Sequence, residues 1–198
     1  MRLYRRSLTT ARTLGILAGS FNPPTIAHLE LARAGLSQVD EILCVVPSVF
    51  PHKDYSGATL EQRLEMLGAM GLPEPYSIGS SSEGLFIDIA RECREQYGPQ
   101  TRLFFLCGRD AAERILTWDY GRPGVVDEML GEFELLVAPR GGHFEPPQEF
   151  QGRIHLLAFD TAHDLVSSTE VRERIAKGEP WEHLVPEKIV DRVRKIYS

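Results

Sequence analysis

The chain has few cysteines and no long apolar run. Its 198 residues include only three cysteines, Cys44, Cys93 and Cys107, which are odd in number and far apart. Their spacing argues against a disulfide scaffold, offers no C-x-x-C pair for zinc and fits a reducing compartment. No apolar stretch approaches the roughly 18 residues that cross a bilayer. We therefore expect a cytoplasmic protein with no membrane partner.

A positive net charge is also absent. The chain carries 22 lysines and arginines against 28 acidic residues, a formal net charge of −6. This balance argues against a nucleic-acid partner, so any phosphate must be held locally. The exception is residues 1–13, where Arg2, Arg5, Arg6 and Arg12 lie with no acid before Glu30. We predict a loose basic arm there; a targeting role is disfavoured because the apolar stretch that follows is too short for a secretory signal.

The remaining composition is that of a globular protein, with 42% hydrophobic and 25% charged residues. Short apolar runs predict strands at 14–18, 42–46, 76–79, 103–107, 135–138 and 154–158. Helical periodicity and capping signals predict helices at 26–36, 60–70, 86–97, 111–116, 168–176 and 186–197. Loops are expected at 121–124 and 141–147. This alternation predicts an α/β fold, a Rossmann-like doubly wound parallel sheet at 14–165 with a small C-terminal helical cap at 166–198.

The loop after the first predicted strand carries the strongest chemical signal. In an open α/β sheet, ligands bind outside the carboxyl ends of the strands. The sequence GSFNPPTIAH at 19–28 passes through a tight Gly19-Ser20 turn into a helix. Thr25 and His28 share a face of its first turn, where free backbone amides attract phosphate. The loop matches neither the P-loop nor the dinucleotide fingerprint; an ordinary hydrogen-bonded histidine at a helix start is the alternative.

A second helix start lies late in the chain. Ser167 and Glu170 have the spacing of a capping box, which helix stability alone would explain. Ser168, Thr169 and Arg172 add two hydroxyls and a guanidinium to the same helix start. This combination predicts a second phosphate cradle, suited to the β and γ phosphates of a nucleoside triphosphate.

These two segments resemble the two signatures of the nucleotidyltransferase superfamily. GSFNPPTIAH is similar to its (T/H)-x-x-H signature, and VSSTEVR at 166–172 is similar to I-S-S-T-x-x-R. The wording of the first segment is closest to the nicotinate and nicotinamide mononucleotide adenylyltransferases, and the likeness extends over about 14–190. The resemblance implies transfer of AMP from ATP to a mononucleotide 5′-phosphate in NAD biosynthesis, with release of pyrophosphate. It also implies Mg²⁺ bound through the ATP phosphates, without a metal site on the protein.

The resemblance and the loop positions together define three sets of expected site residues. The expected catalytic residues, which would stabilise charge on the phosphates, are His28 and Arg172. The expected ATP-binding residues are Gly19, Ser20, Phe21, Thr25, His28, Gly108, Asp110, Ser168, Thr169 and Arg172. The expected acceptor-binding residues are Asn22, His52, Lys53, Trp118 and Arg140. Each assignment has an alternative. Asp110 could be a plain helix cap, and Trp118 could simply pack in the protein. The basic residues His52, Lys53 and Arg140 could be solvated surface residues.

The acceptor half departs from the family pattern. The pyridine-nucleotide enzymes carry a tyrosine-threonine pair where this chain has Leu85 and Phe86, and a small residue where it has Arg109. The missing hydroxyls predict weak discrimination between acid and amide acceptors, unless Arg109 or Arg140 selects the charge. Two alternatives stay open: an adenylyl or cytidylyl transferase with another phosphate acceptor, and an inactive nucleotide-binding regulator. The sequence leaves the oligomeric state open, a homo-oligomer included.

Overall fold

A computed structural model describes residues 1–50, 55–139, 142–158 and 166–197. Seven strands form one sheet in the order β1-β4-β3-β2-β5-β6-β7. The strands are β1 (Arg2–Arg5), β2 (Thr13–Ala18), β3 (Glu41–Pro47), β4 (Tyr76–Ser81), β5 (Arg102–Gly108), β6 (Glu134–Ala138) and β7 (Ile154–Leu156). All neighbouring pairs are parallel except β1 with β4, which is antiparallel.

Helices cover both faces of this sheet. They are α1 (Ile26–Gly35), α2 (Leu60–Ala69), α3 (Phe86–Tyr97), α4 (Arg109–Thr117), α5 (Val125–Glu132), α6 (Ser168–Lys177) and α7 (Val190–Tyr197). One buried cluster joins α1, α2 and the C-terminal helices to the sheet, and a second joins α3, α4 and α5 to its other face. β3 is buried at every position, as expected for a strand packed on both faces. The predicted Rossmann-like α/β fold is confirmed.

The central strand β2 places the first loop at the middle of the sheet. Its Ile16 pairs with Leu43 of β3 on one side and with Phe105 of β5 on the other. The chain order reverses here, because β3 and β4 lie to one side of β2 and β5, β6 and β7 to the other. The loop after β2 therefore stands at the topological switch point, where doubly wound sheets bind ligands.

Residues 2–5 overturn the prediction of a loose arm. They form the edge strand β1, whose Leu3 pairs with Gly79 of β4. The segment has no apolar run because it lies at the sheet edge, where polar side chains are tolerated. Behind the strand, the amides of Arg12 and Thr13 donate to Asp40 Oδ2, each at 2.9 Å. Arg2 and Arg5 thus belong to the sheet's edge rather than to a free tail.

Three other elements differ from the predictions. Helix α5 was not predicted, although it follows the expected loop at 121–124. The last helix begins with a 3₁₀ turn at Glu187–Ile189 before α7, and β7 is shorter than the predicted strand. Helix α2 has the predicted capping box, in which Thr59 Oγ1 accepts from the Gln62 amide at 3.2 Å. No helix within the described ranges is long and apolar enough to span a membrane.

Candidate active site

A polar cleft lies where the loop after β2 meets the start of α6. Its volume is about 280 Å³, and it is lined by Ser20, Asn22, His28, Tyr55, Ser56, Val166, Ser167, Ser168, Thr169 and Arg172. No carboxylate occurs among these lining residues. The N-terminal ends of α1 and α6 both open toward the cleft through lining residues of their first turns. Two helix N-termini, hydroxyls and a guanidinium are the groups that favour an anion.

His28 is oriented by the residue that begins α1. The Thr25 amide donates to His28 Nδ1 at 3.1 Å, and Thr25 Oγ1 lies 2.7 Å from the same nitrogen. Because an amide can only donate, Nδ1 is the acceptor and the neutral ring carries its proton on Nε2. Thr25 is completely buried, so it acts through His28. The pair thus presents Nε2 of a half-buried imidazole in the wall of the cleft.

The predicted turn at Gly19 and Ser20 is built differently. The residue in the left-handed region is Phe21, with a φ of 47°, and not Gly19. The Phe21 ring is completely buried, 5.0 Å from the ring of His28. A bulky residue in this conformation is an outlier that the surrounding packing must hold. Phe21 therefore shapes the loop from within the core, and its side chain is not placed to contact ATP.

The Asn22 side chain makes three hydrogen bonds within the protein. Its Oδ1 accepts from the Ala58 amide at 3.1 Å and from the Tyr197 hydroxyl at 2.5 Å. Its Nδ2 donates to the Ser56 carbonyl at 2.8 Å, and the side chain is only 3% exposed. The amide group is thus occupied within the protein, where it holds the loop rather than facing an acceptor.

Arg172 crosses from α6 to the same loop. Its Nη1 donates to the Asn22 carbonyl at 2.6 Å and to the Ser168 carbonyl at 3.1 Å. Its Nη2 donates to Thr169 Oγ1 at 3.3 Å. Ser168 Oγ donates to the Pro23 carbonyl at 2.8 Å. The two signature segments, about 150 positions apart, therefore form one wall of the cleft.

The helix cap of α6 has half of the predicted capping box. Ser167 accepts from the Glu170 amide at 3.1 Å. The Glu170 carboxylate instead accepts from Arg174 Nε at 3.0 Å, one turn further along the helix. This ion pair draws the Glu170 carboxylate of the first turn away from the cleft.

Sequence reasoning missed the segment that lies behind the loop. Arg63 of α2 is 4% exposed, and its Nη1 donates to the Ser20 carbonyl at 3.2 Å. Its guanidinium stands over the Tyr55 ring, 4.4 Å from the centroid. Gly57 has a φ of 126°, and a Cβ there would meet Asn22 Oδ1 at 2.5 Å. Only glycine allows this close approach, but no local motif marks it.

Gly108 and Asp110 do not line this cleft. Gly108 is the N-cap of α4 at the carboxyl end of β5, next to the loop after β2. The alternative interpretation of Asp110 as a plain helix cap is wrong, because Gly108 is the cap and Asp110 lies in the first turn, 82% exposed and 3.5 Å from Arg109 Nη2. Its expected role in ATP binding stays a prediction. Of the other predicted residues, His52, Lys53 and Arg140 lie outside the described residues.

Trp118 lines a second, larger cavity at the far end of α4. This cavity has a volume of about 670 Å³ and is walled by α3, α4 and α5. Its apolar lining includes Leu85, Phe86, Ile115, Val125 and Met129. Trp118 is 47% exposed and directly follows the last residue of α4 in this wall.

The α/β fold and the polar cleft at its switch point are typical of nucleotide-binding proteins, and sequence comparison specifies the class. The chain belongs to the cytidylyltransferase-like family, whose model matches residues 16–174. It is therefore a nucleotidyltransferase, and the membership predicted from the two signature segments is confirmed.

Three relatives that match most of this chain carry the name of the same enzyme. A probable nicotinate-nucleotide adenylyltransferase of Gloeobacter violaceus is 32% identical over 92% of this chain and 93% of its own length. The probable nicotinate-nucleotide adenylyltransferase of Moorella thermoacetica is 30% identical over 94% of this chain and 91% of its own length. The nicotinate-nucleotide adenylyltransferase of Bacillus subtilis is 29% identical over 90% of this chain and 93% of its own length.

A solved structure has the same fold. It is the Plasmodium falciparum nicotinic acid mononucleotide adenylyltransferase complexed with NaAD, with a TM-score of 0.69 and 19% identity. The alignment covers 92% of this chain and 95% of that one. At this identity the likeness shows the shared architecture.

Proposed function

We propose that this protein transfers AMP from ATP to the 5′-phosphate of nicotinate mononucleotide and releases pyrophosphate, as a step of NAD biosynthesis. The observation that carries the proposal is the junction of the two signature segments in one cleft, whose described lining residues include no carboxylate. Relatives that match nearly the whole chain are named nicotinate-nucleotide adenylyltransferases.

The reaction needs no protein nucleophile, because the acceptor phosphate is already ionised. Its oxygen attacks the α-phosphorus of ATP in line, and pyrophosphate leaves. Catalysis then rests on positioning and on stabilising the charge of the phosphates. His28 Nε2 and the amides of the first turn of α1 are assigned to the α-phosphate. Arg172, Ser168 and Thr169 are assigned to the β and γ phosphates.

The cleft suits magnesium that arrives with the nucleotide. Mg²⁺ prefers carboxylate, phosphate and water oxygens and keeps several waters. The cleft lining offers hydroxyls, an amide, an imidazole and a guanidinium, and the described part of the chain contains no group of three or more acids, histidines and cysteines that could hold a metal. ATP phosphates would therefore supply its ligands, and the ion would neutralise the charge of the triphosphate.

The acceptor is assigned to the path between the cleft and the larger cavity. Helix α4 begins beside the cleft at Gly108 and ends at Trp118 in the cavity wall. Its nine residues span roughly 13 Å. A mononucleotide with its phosphate toward the cleft and its ring against Trp118 fits this arrangement.

A panel of acceptors tests the proposal. Pyrophosphate release from ATP would be measured with nicotinate mononucleotide, nicotinamide mononucleotide, phosphopantetheine and a phosphorylated alcohol. The proposal expects the highest kcat/KM for a pyridine mononucleotide. Turnover restricted to another acceptor would refute it, and so would ATP binding without turnover on any acceptor.

A transferase with a different phosphate acceptor is the second candidate. The observation that favours it is the apolar pair Leu85 and Phe86 in the cavity wall, where the pyridine-nucleotide enzymes carry hydroxyls. A larger and more apolar acceptor would use that wall better. The phosphopantetheine arm of the panel separates the two candidates.

A further inference from the structure

A buried arginine lies behind the wall of the polar cleft. Arg63 of α2 is 4% exposed and is not among the residues that line the cleft. Among the described residues no carboxylate pairs with its guanidinium, and the titratable groups that act on it are Tyr55 and Tyr197, whose hydroxyls are neutral at pH 7. An arginine stays charged at that pH. The described part of the protein therefore buries a positive charge here without a matching negative charge.

Carbonyl groups and aromatic rings surround this guanidinium. Its Nε donates to the Thr59 carbonyl at 3.3 Å, and its Nη1 donates to the Ser20 carbonyl at 3.2 Å. The guanidinium carbon lies 4.4 Å from the centroid of the Tyr55 ring and 5.6 Å from that of Phe50. Ring faces and carbonyl dipoles attract a cation, but they carry only partial charge. Because burying a charge without a counter-charge is costly, the stability of the fold does not by itself explain an arginine at this position.

The bond to Ser20 is the contact through which Arg63 reaches the cleft. The Thr59 carbonyl already accepts from the Arg63 amide at 3.0 Å in the first turn of α2, so it does not depend on the side chain. Ser20, in contrast, lines the cleft and lies 43 positions earlier in the chain. Since Arg63 does not line the cleft, the Ser20 carbonyl that bonds to it is directed out of the cleft.

The same carbonyl belongs to a strained turn. The next residue, Phe21, has a φ of 47°, in the left-handed region that bulky residues avoid. Such a conformation persists only where the surrounding contacts over-determine it. The Ser20 carbonyl is part of the peptide group that precedes Phe21, and a change of φ at Phe21 rotates that rigid group. The hydrogen bond from Arg63 therefore restrains the turn at its strained dihedral angle.

Both effects of Arg63 favour a polyanion in the cleft. A Ser20 carbonyl turned into the cleft would present the negative end of its dipole to the phosphates, and the bond to Arg63 prevents this. The guanidinium also places a positive charge directly behind the cleft wall, where burial leaves it little screened by salt. A triphosphate carries more negative charge than the monophosphate of an acceptor. The arrangement should therefore act mainly on ATP.

We infer that Arg63 is a positioning residue for ATP, which holds the Ser20 carbonyl out of the cleft and places its buried charge behind the phosphates. It acts through Ser20 and does not itself touch the nucleotide. The inference rests on the proposed function, because it assumes that the cleft takes the triphosphate. It also means that the arginine serves nucleotide binding more than it serves the stability of the fold.

Substitution by methionine separates positioning from packing. Arg63→Met removes the charge and the donor but keeps an unbranched side chain that fills the space. The Kd for ATP, measured by calorimetric titration without acceptor, should rise about tenfold or more, the loss of a charge-assisted hydrogen bond. The Kd for nicotinate mononucleotide should change by less than about threefold. The midpoint of urea unfolding should stay near the wild-type value, because a charge is no longer buried when the hydrogen bond is lost.

Two further variants separate geometry from charge. Arg63→Lys keeps the charge and one donor but not the planar fork, so its Kd for ATP should rise by about threefold and remain below that of Arg63→Met. Arg33→Met is the control, since it removes one positive charge from a 53% exposed position on α1. Its Kd for ATP should change by less than about twofold, because solvent and salt screen an exposed charge.

Several results would overturn the inference. They are an unchanged Kd for ATP in Arg63→Met, equal losses for ATP and the acceptor, an equal loss in Arg33→Met, and lower stability with unchanged ATP affinity per folded molecule. Should Arg63→Met fail to fold, Arg63→Lys decides, and an unchanged Kd for ATP in that variant overturns the inference. A wild-type protein that bound ATP but turned over no pyridine mononucleotide would instead refute the proposed acceptor and leave the role of Arg63 intact.

Discussion

The hydroxyl of Tyr197 donates to Oδ1 of Asn22 at 2.5 Å, across 175 positions of sequence. Burial raises the pKa of Tyr197 above its ordinary value, so the hydroxyl keeps its proton and remains a donor at neutral pH. The backbone carbonyl of Asn22 in turn accepts from Arg172. The last helix therefore contacts the loop after β2 through Asn22. The carbonyl of the same residue holds Arg172, which is assigned to the triphosphate.

Tyr197→Phe should lower both the stability of the protein and its activity with ATP. Loss of the hydrogen bond should cost about 1 kcal/mol of unfolding free energy. A small shift of the loop should lower kcat/KM for ATP by up to about tenfold, because misplacement of reacting groups slows the reaction. Urea unfolding and steady-state kinetics measure both. Tyr4→Phe, at a 45% exposed position on β1, is the control; lost stability with unchanged kinetics would remove Tyr197 from loop positioning.

His28→Ala should reduce turnover while the domain stays folded. The imidazole is half-buried in the cleft wall, where the Thr25 amide donates to its Nδ1. Removing one donor to developing charge typically costs 10²- to 10³-fold in kcat, about 3 to 4 kcal/mol. His183→Ala alters an exposed histidine in the C-terminal region and should leave kcat unchanged. A variant that melts far below the wild type but keeps its turnover per folded molecule would make His28 structural.

Arg172→Lys should weaken the use of ATP more than binding of the acceptor. The guanidinium makes three hydrogen bonds to the two signature segments, and a lysine ammonium cannot reproduce this fork. We expect the KM for ATP to rise and the Kd of the mononucleotide to stay near the wild-type value. Arg174→Lys lies on the same helix but faces Glu170, so it is the control. Equal losses for both substrates would contradict the assignment to the triphosphate.

The sequence predicted those features of the site that depend on residues close together in the chain. Thr25 and His28 are three residues apart, and their contact lies within one helical turn, so the sequence contains the whole arrangement. The same holds for the Ser167 cap. Uniform apolar runs likewise predicted the parallel strands, because burial on both faces leaves no polar positions.

Long-range contacts could not be predicted in this way. The amide of Asn22 looked suited to the acceptor, yet its partners Ala58 and Tyr197 lie 36 and 175 positions away. Arg63 donates to the carbonyl of Ser20, which lies 43 positions earlier in the chain. No periodicity in the sequence predicts this contact. Strand β1 depends on its pairing with β4, and helix α5 has only eight residues. Their signals were too weak or too distant for single-sequence reasoning.

Asp40 ties the start of β2 to the start of β3, and its contribution should depend on pH. Its carboxylate accepts from the amides of Thr13 and Arg12 at 2.9 Å. These hydrogen bonds, with Thr13 as the main cause, lower the pKa of Asp40 below its ordinary value of 3.8. A lowered pKa in the folded state means that the stabilisation is present above pH 3.8 and is lost as the pH falls through the folded-state pKa.

Asp40→Asn should therefore destabilise the protein at pH 7 by about 1 kcal/mol, since a neutral amide accepts these bonds less strongly. The difference from the wild type should shrink as the pH is lowered through the folded-state pKa of Asp40, because the wild-type carboxyl then becomes neutral as well. Urea unfolding at pH 7, 5 and 3 measures it. Asp191→Asn, at a side chain that is 97% exposed, controls for the loss of one charge. A difference that stayed constant across this range would mean that Asp40 acts through its shape and not through its charge.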